Sequence, residues 1–444
     1  MKTIRIGSGA GFAGDRIEPA VELAEKGRLD YLAFECLAER TIALAQQEKM
    51  HDPSAGFDPM LVRRIKAVLP AARANGTRII TNMGAANPQA AAEAARRVAR
   101  EMGIKGVRIA AVTGDDVLDR ILEGEYRLDE SGRPVSELGN KLVSANAYTG
   151  IDGIIDALEQ GADIVITGRA ADPVLFLAPL VHEFGWARDD WATLGRGTLV
   201  GHLLECAAQV TGGYFADPGV KDVPDMLHIG YPLAEVQADG SAIITKVDGS
   251  GGIVSTATCT EQLLYEVHDP SAYFQPDVIA DFSQTRFRQE GENRVAVEGA
   301  SGRQRTGLLK VSVGYVDGWI GEGQISYGGP GAEERGRLAI DLVARRLAEL
   351  GLRVQESRGE LIGVNSILPG NTSQAPPREV RMRFAARCDS REDALRIGEE
   401  VEGLYLNGPY GGGGVTKQAR EVVAIGSTFI PEDLVSQTVT ILES

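Results

Sequence analysis

The residues equipped for chemistry stand in short polar clusters, each following an apolar stretch. Glu35 closes "YLAFE", with Glu39 four residues on. Asn82 follows "RIIT" in "TNMGAANP". Asp115 and Asp116 follow "VTG", Asn146 and Tyr148 sit in "ANAYTG", and Arg169 and Asp172 in "TGRAADP". A carboxyl at a strand end in a partly closed pocket acts as a general acid or base once its pKa rises, which fits Glu35. Asn82 and Tyr148 can polarise a carbonyl or a developing oxyanion. Arg169 offers a fork for a carboxylate or phosphate, with Asn146 beside it. Asp115 and Asp116 can hold Mg²⁺ or cap the next helix. Glu39 suits a charge at a helix start, and Asp172, just before Pro173, suits a helix cap. "GHLLEC" puts His202, Glu205 and Cys206 on one helix face, so His202 is an alternative proton carrier. Lys246, before the turn "DGSGG", is a further anion-binding candidate, although a hairpin turn explains the glycines as well.

The first loop poses its own question. Gly9, Gly11 and Gly14 in "GSGAGFAGDR" have dinucleotide-loop spacing, and Glu35 lies near the place of a ribose-binding carboxylate. Asp15, directly after the third glycine, would repel a pyrophosphate there. Gly9 and Gly11 are therefore expected at the edge of a substrate cleft, and an NAD-dependent oxidoreductase is a secondary alternative.

These clusters need a frame that brings them together. Between residues 3 and 173, apolar runs rich in Ile and Val alternate with helical patterns, the clearest being 87–103, with Asn87 as cap, Pro88 in the first turn and Gly103 at the end. That rhythm predicts an α/β fold, a parallel sheet flanked by helices, with ligands at the carboxyl ends of the strands. A helix is expected over about 190–212. Beyond a boundary near 220, β-branched runs and tight turns predict antiparallel strands, then helices over 332–351 and 391–405. The expected organisation is an α/β domain over 1–220 and a smaller α+β domain over 221–444.

Composition excludes several partners. The net charge is −16 and the acidic excess is spread along the chain, which disfavours nucleic acid and anionic membranes. No apolar run has the roughly 20 residues of a membrane span, and the first residues do not resemble a signal peptide, so a cytoplasmic protein is expected. The four cysteines form no CxxC pair.

"FECLAERT" (34–41), "TNMGAANP" (81–88), "ANAYTG" (145–150), "TGRAADP" (167–173), "GHLLECAAQVTGGYFADPG" (201–219) and "TEQLLYEVHDPSAYFQPDV" (260–278) resemble the acyclic terpene utilization AtuA family. The resemblance implies catabolism of branched terpenoid acids or their CoA thioesters, and so a lyase or hydratase working by proton transfer. The alternative is a non-catalytic acyl-binding or scaffold subunit. Longer members carry a ferredoxin-like extension with an "RSGDKG"-type motif, or meet it as a separate small protein. No such motif occurs here, which implies a small ferredoxin-like partner; a homo-oligomer is also expected.

Overall fold

The computed structural model describes residues 2–368 and 376–444. It is a mixed α/β protein that divides into two compact units, residues 1–314 with 425–444, and residues 315–424.

The first unit is built on five parallel strands: β1 (Thr3–Ala10), β2 (Tyr31–Phe34), β3 (Arg78–Thr81), β6 (Ile164–Thr167) and β4 (Arg108–Thr113), adjacent in that order. The strands are buried on both faces, which is why they read as near-continuous apolar runs. Ile4, Ile6, Ala33, Ile80 and Val165 face a core with Leu175, Phe176, Leu199 and Leu203. Leu32, Phe34, Ile79 and Ile166 face a second core with Leu23, Ile65, Ala91 and Ala95. Helix Pro88–Glu101 begins where expected, with the Asn87 side chain accepting from the amide of Ala90 at 3.2 Å.

Two features depart from the sequence reading. The strand β5 (Leu142–Ala147) lies outside the parallel sheet and pairs with the strand that begins at Leu308. Its polar end returns to the site through single bridges, Asp116 to Asn146 and Thr149 to Ala170. The boundary expected near 220 falls inside the first unit. Here β7 (Pro232–Gln237) pairs antiparallel with β1, β8 (Ala242–Lys246) pairs with β7, and Arg294–Glu298 and Arg286–Gly291 extend the sheet. At the other edge Thr438–Glu443 pairs antiparallel with β4, so the sheet has ten strands. A run of β-branched residues does not reveal whether its strand starts a new sheet or extends an old one.

In the second unit the strand order is Val354–Ile362, Glu379–Cys388, then the parts of Leu308–Gly328 and Gly413–Pro431 that fall within residues 315–424. Helices Ala332–Glu349 and Arg391–Glu402 connect these strands in a strand–helix–strand, strand–helix–strand sequence. That is the split βαβ arrangement of ferredoxin-like domains. Alternate residues of Glu379–Cys388, namely Val380, Met382, Phe384, Ala386 and Cys388, form its core with Ala339, Val343, Ile397 and Val401.

Candidate functional site

The carboxyl ends of β2, β3, β4 and β6 and the end of β5 converge, because parallel strands share one direction. The clusters at Glu35, Asn82, Asp115, Asn146 and Arg169 lie at such ends, whereas His202 and Glu205 lie on helix Trp191–Glu205 and Lys246 ends β8.

Glu35 follows β2 directly and is buried, 8 % exposed. Its Oε1 accepts from the amide of Leu37 at 2.8 Å and from Asn82 Nδ2 at 2.9 Å, and Asn82 Oδ1 accepts from the amide of Cys36 at 2.8 Å. The buried Asn82 amide therefore holds Glu35 and its loop in place. Burial, with the nearby charge of Asp172, pushes the Glu35 carboxyl up to about 8, against the pull of Arg169 and Asn82. Burial thus favours the protonated form of Glu35.

Arg169 is 1 % exposed. Its guanidinium donates to the carbonyls of Ala170 and Leu37 and pairs with Asp172, and the Tyr148 ring covers it at 4.3 Å. Burial works against its charge, but Asp172, Tyr148, Glu35 and Glu39 outweigh that and raise its pKa. Arg169 is expected as a fork for a substrate anion; in the structure its guanidinium is held by these partners and organises the site from within. Asp172 accepts no capping bond from the following helix and is instead the carboxylate paired with Arg169.

The Tyr148 hydroxyl donates to Glu39 Oε1, and Lys310 Nζ lies 3.3 Å from the same oxygen and 4.9 Å from the Tyr148 ring. Burial opposes ionisation of Glu39, yet the Tyr148 bond, Arg169 and Lys310 hold its pKa down at about 2. Tyr148 itself is pushed up by burial and by Glu39, so it stays a neutral hydroxyl. Tyr148, Asp172 and Lys310 border a cavity of about 480 Å³ whose other walls include Tyr273, Phe274, Leu308 and Phe429. The cation facing this space is Lys310, which the sequence reading did not single out. Glu39 was assigned to the helix start alone, and it does begin helix Glu39–His51. Nothing local signals either role: Lys310 and Glu39 are 271 residues apart in the chain.

Asp115 is buried, and its Oδ2 accepts from Asn146 Nδ2 and from the amide of Arg169, both at 2.9 Å. Its carboxyl is pushed up to about 6 by burial, against those two bonds. Gly168 is required beside it, since a Cβ there would collide with the Asp115 carboxylate. Asp116 turns outward and accepts from the amide of Leu118 at 3.2 Å and from Gln46 Nε2 at 3.1 Å. The two carboxylates thus diverge into separate bonds, the helix-start reading for Asp116 and a loop tie for Asp115. Among the described residues no group of three His, Cys, Asp or Glu side chains is arranged to hold a metal ion.

His202 lies behind the cavity wall, its ring 5.3 Å from Tyr273 and 5.7 Å from Phe282. Its Nδ1 is 2.8 Å from Glu205 Oε1 and its Nε2 is 3.2 Å from the carbonyl of Leu263. Burial disfavours its charged form, but these acceptors prevail and raise its pKa; burial likewise lifts Glu205 to about 7. The pair holds a proton inside the core, one side chain removed from the cavity.

The glycine-rich loop closes on itself. A Cβ at Gly9 would meet the Phe34 ring, and one at Gly11 would come within 2.5 Å of the Cys206 carbonyl carbon. The Gly11 amide donates to Asp15 Oδ2 at 2.8 Å, and Asp15 Oδ1 accepts from the Tyr231 hydroxyl at 2.7 Å. Asp15 thus occupies a donor that a pyrophosphate would need in the dinucleotide-loop alternative, and the glycines serve close packing. Lys246 lies outside this cluster, in a separate trough with Arg5, Arg28 and Arg294.

A family model described as acyclic terpene utilisation family protein AtuA matches residues 4–441, and the chain belongs to that family. No curated protein and no solved structure matches it. Membership assigns a catabolic role in acyclic terpene utilisation. No helix among the described residues is long and apolar enough to cross a membrane.

Proposed function

We propose that this member of the acyclic terpene utilisation family is a catabolic lyase or hydratase that moves protons on a small branched or hydroxylated carboxylic acid or its CoA thioester. The observation that carries the proposal is geometric: Glu35, buried and held by Asn82 and the Leu37 amide, stands near the Arg169–Asp172 pair, and Asp172 borders a largely apolar cavity. Two carboxyls in unlike surroundings can divide acid and base duties. In the dehydration direction, Asp172, paired with Arg169 while burial raises its pKa, removes the proton next to the carbonyl. Protonated Glu35 gives its proton to the departing hydroxyl. The C–H electron pair becomes the new C=C bond as the C–O bond breaks, and water leaves. Lys310 holds the carboxylate or thioester oxygen, and Tyr148, neutral and anchored by Glu39, fixes its position. The apolar walls take the branched chain, and a CoA moiety would extend outside the cavity. No metal is assigned a step.

The competing possibility is an acyl-binding subunit without turnover. It is favoured by the mutual pairing of Arg169 with Asp172 and of Glu39 with Tyr148 and Lys310, which leaves few charges free. A small ferredoxin-like partner completing the site belongs to the same proposal. The two are separated by incubating the chain, with and without a candidate partner, with branched hydroxy acids, their unsaturated counterparts and the CoA esters. A mass change of one water supports the lyase. Saturable binding of the acids, weakened in Lys310→Met and without product, supports the binding subunit.

A further inference from the structure

A second cavity, of about 330 Å³, lies on the face of the ten-stranded sheet beside the end of helix Glu18–Lys26. In a chain of net charge −16 its walls carry five cations, Arg5, Lys26, Arg28, Lys246 and Arg294, against two carboxylates, Glu235 and Asp248. Lys26 pairs with Glu22, outside the lining, at 3.0 Å, so the excess charge rests on Arg28, Lys246 and the two guanidiniums that share one carboxylate. Glu235 is shared by two guanidiniums, Arg5 and Arg294. Lys246 is 6 % exposed and lines both this trough and the neighbouring cavity at Ser250; among the described residues its ammonium donates to neutral oxygens, the carbonyl and hydroxyl of Ser250. Glu22, Asp248 and Glu292 reach it only as longer-range charges, and burial works against its protonated form. A buried ammonium without an ion-pair partner is costly unless an anion supplies one. Arg28 stands at the rim in the left-handed backbone region, with φ +50°, which glycine would adopt without strain.

We propose that this trough binds a phosphate-bearing small molecule, with Lys246 as the buried anchor and the guanidiniums of Arg5, Arg28 and Arg294 around it. A multiply charged tetrahedral anion is favoured over a single carboxylate because the cations approach from the sheet strands and from the helix end. At about 30 Å³ per water, the volume holds roughly eleven waters, enough for a pyrophosphate group. The site is independent of the cavity at Lys310 and of the reaction proposed there.

The test is calorimetric titration of the full chain with sodium pyrophosphate, repeated as thermal melting against sodium chloride of matched ionic strength. Wild type is expected to bind saturably in the millimolar range or tighter, Lys246→Met about tenfold or more weakly, and Arg28→Gly several-fold more weakly. Ligand-free Lys246→Met should melt above wild type, because an unpaired buried charge is gone. The proposal is overturned if wild type shows no more response to pyrophosphate than to chloride, or if both variants bind as wild type does. Should Lys246→Met fail to fold, Arg28→Gly decides alone, since glycine suits its backbone.

Discussion

Replacing Glu35 by Gln is the most informative single change. Gln keeps an oxygen to accept from Leu37 and Asn82 and has nearly the same volume, but it cannot ionise. The Glu35 carboxyl is raised from 4.5 to about 8 on folding. At 1.36 kcal/mol per pKa unit that corresponds to about 5 kcal/mol. The sign follows from proton binding. Below pH 4.5 the carboxyl is protonated folded or unfolded, and its contribution to stability is fully present. Between 4.5 and about 8 the unfolded chain ionises while the folded chain does not, so wild type loses stability as pH rises through this window. Glu35→Gln has no such loss. Urea denaturation of both proteins from pH 5 to 8.5 is therefore expected to show the variant gaining on wild type by several kcal/mol across that range, while turnover falls by at least about a hundredfold if Glu35 is the acid. A stability difference that stays flat with pH would refute the reasoning, since Glu35 would then be an ordinary carboxylate paired with Arg169.

Further outcomes follow from the same geometry. Tyr148→Phe keeps the ring over Arg169 but frees Glu39, costing about 1 kcal/mol in urea melts; the Glu39 pKa should rise from about 2 when followed by NMR titration. Asp115→Ala leaves the Arg169 amide and Asn146 Nδ2 without their acceptor in a buried place, which should cost about 3 kcal/mol by denaturant midpoint. Gly11→Ala forces a Cβ against the Cys206 backbone and should cost about 2 kcal/mol, while wild type is expected to leave NADH fluorescence unchanged.

The sequence made the strand ends legible because parallel strands leave a strong signature: apolar runs closed by polar residues, with helical patterns between. Glu35, Asn82, Asp115 and Arg169 are found that way; Asn146 and Tyr148 belong to β5 and its end, outside the parallel sheet, and the structure brings all six together. Their division of labour was not legible. Arg169 reads as an open anion fork, yet its donors are taken by the carbonyls of Ala170 and Leu37 and by Asp172, partners that only the fold supplies. Lys310 gave no signal, since a lysine in an alternating strand is ordinarily a solvated one. The extension of the sheet by β7 and β8 was missed for a related reason: period-two alternation reports a strand but not its neighbour. The helix Pro88–Glu101, by contrast, carries its start in its own residues and needed no tertiary information.

The central claim is proton transfer at the cavity formed by Tyr148, Asp172 and Lys310. It is tested most directly by incubating wild type and Glu35→Gln in D₂O with a branched 3-hydroxy acid and its CoA ester and reading deuterium content by mass spectrometry. The account predicts deuterium incorporation or loss of water with wild type, strongly reduced in the variant. Unchanged substrate that binds both proteins equally would contradict it and leave an acyl-binding subunit.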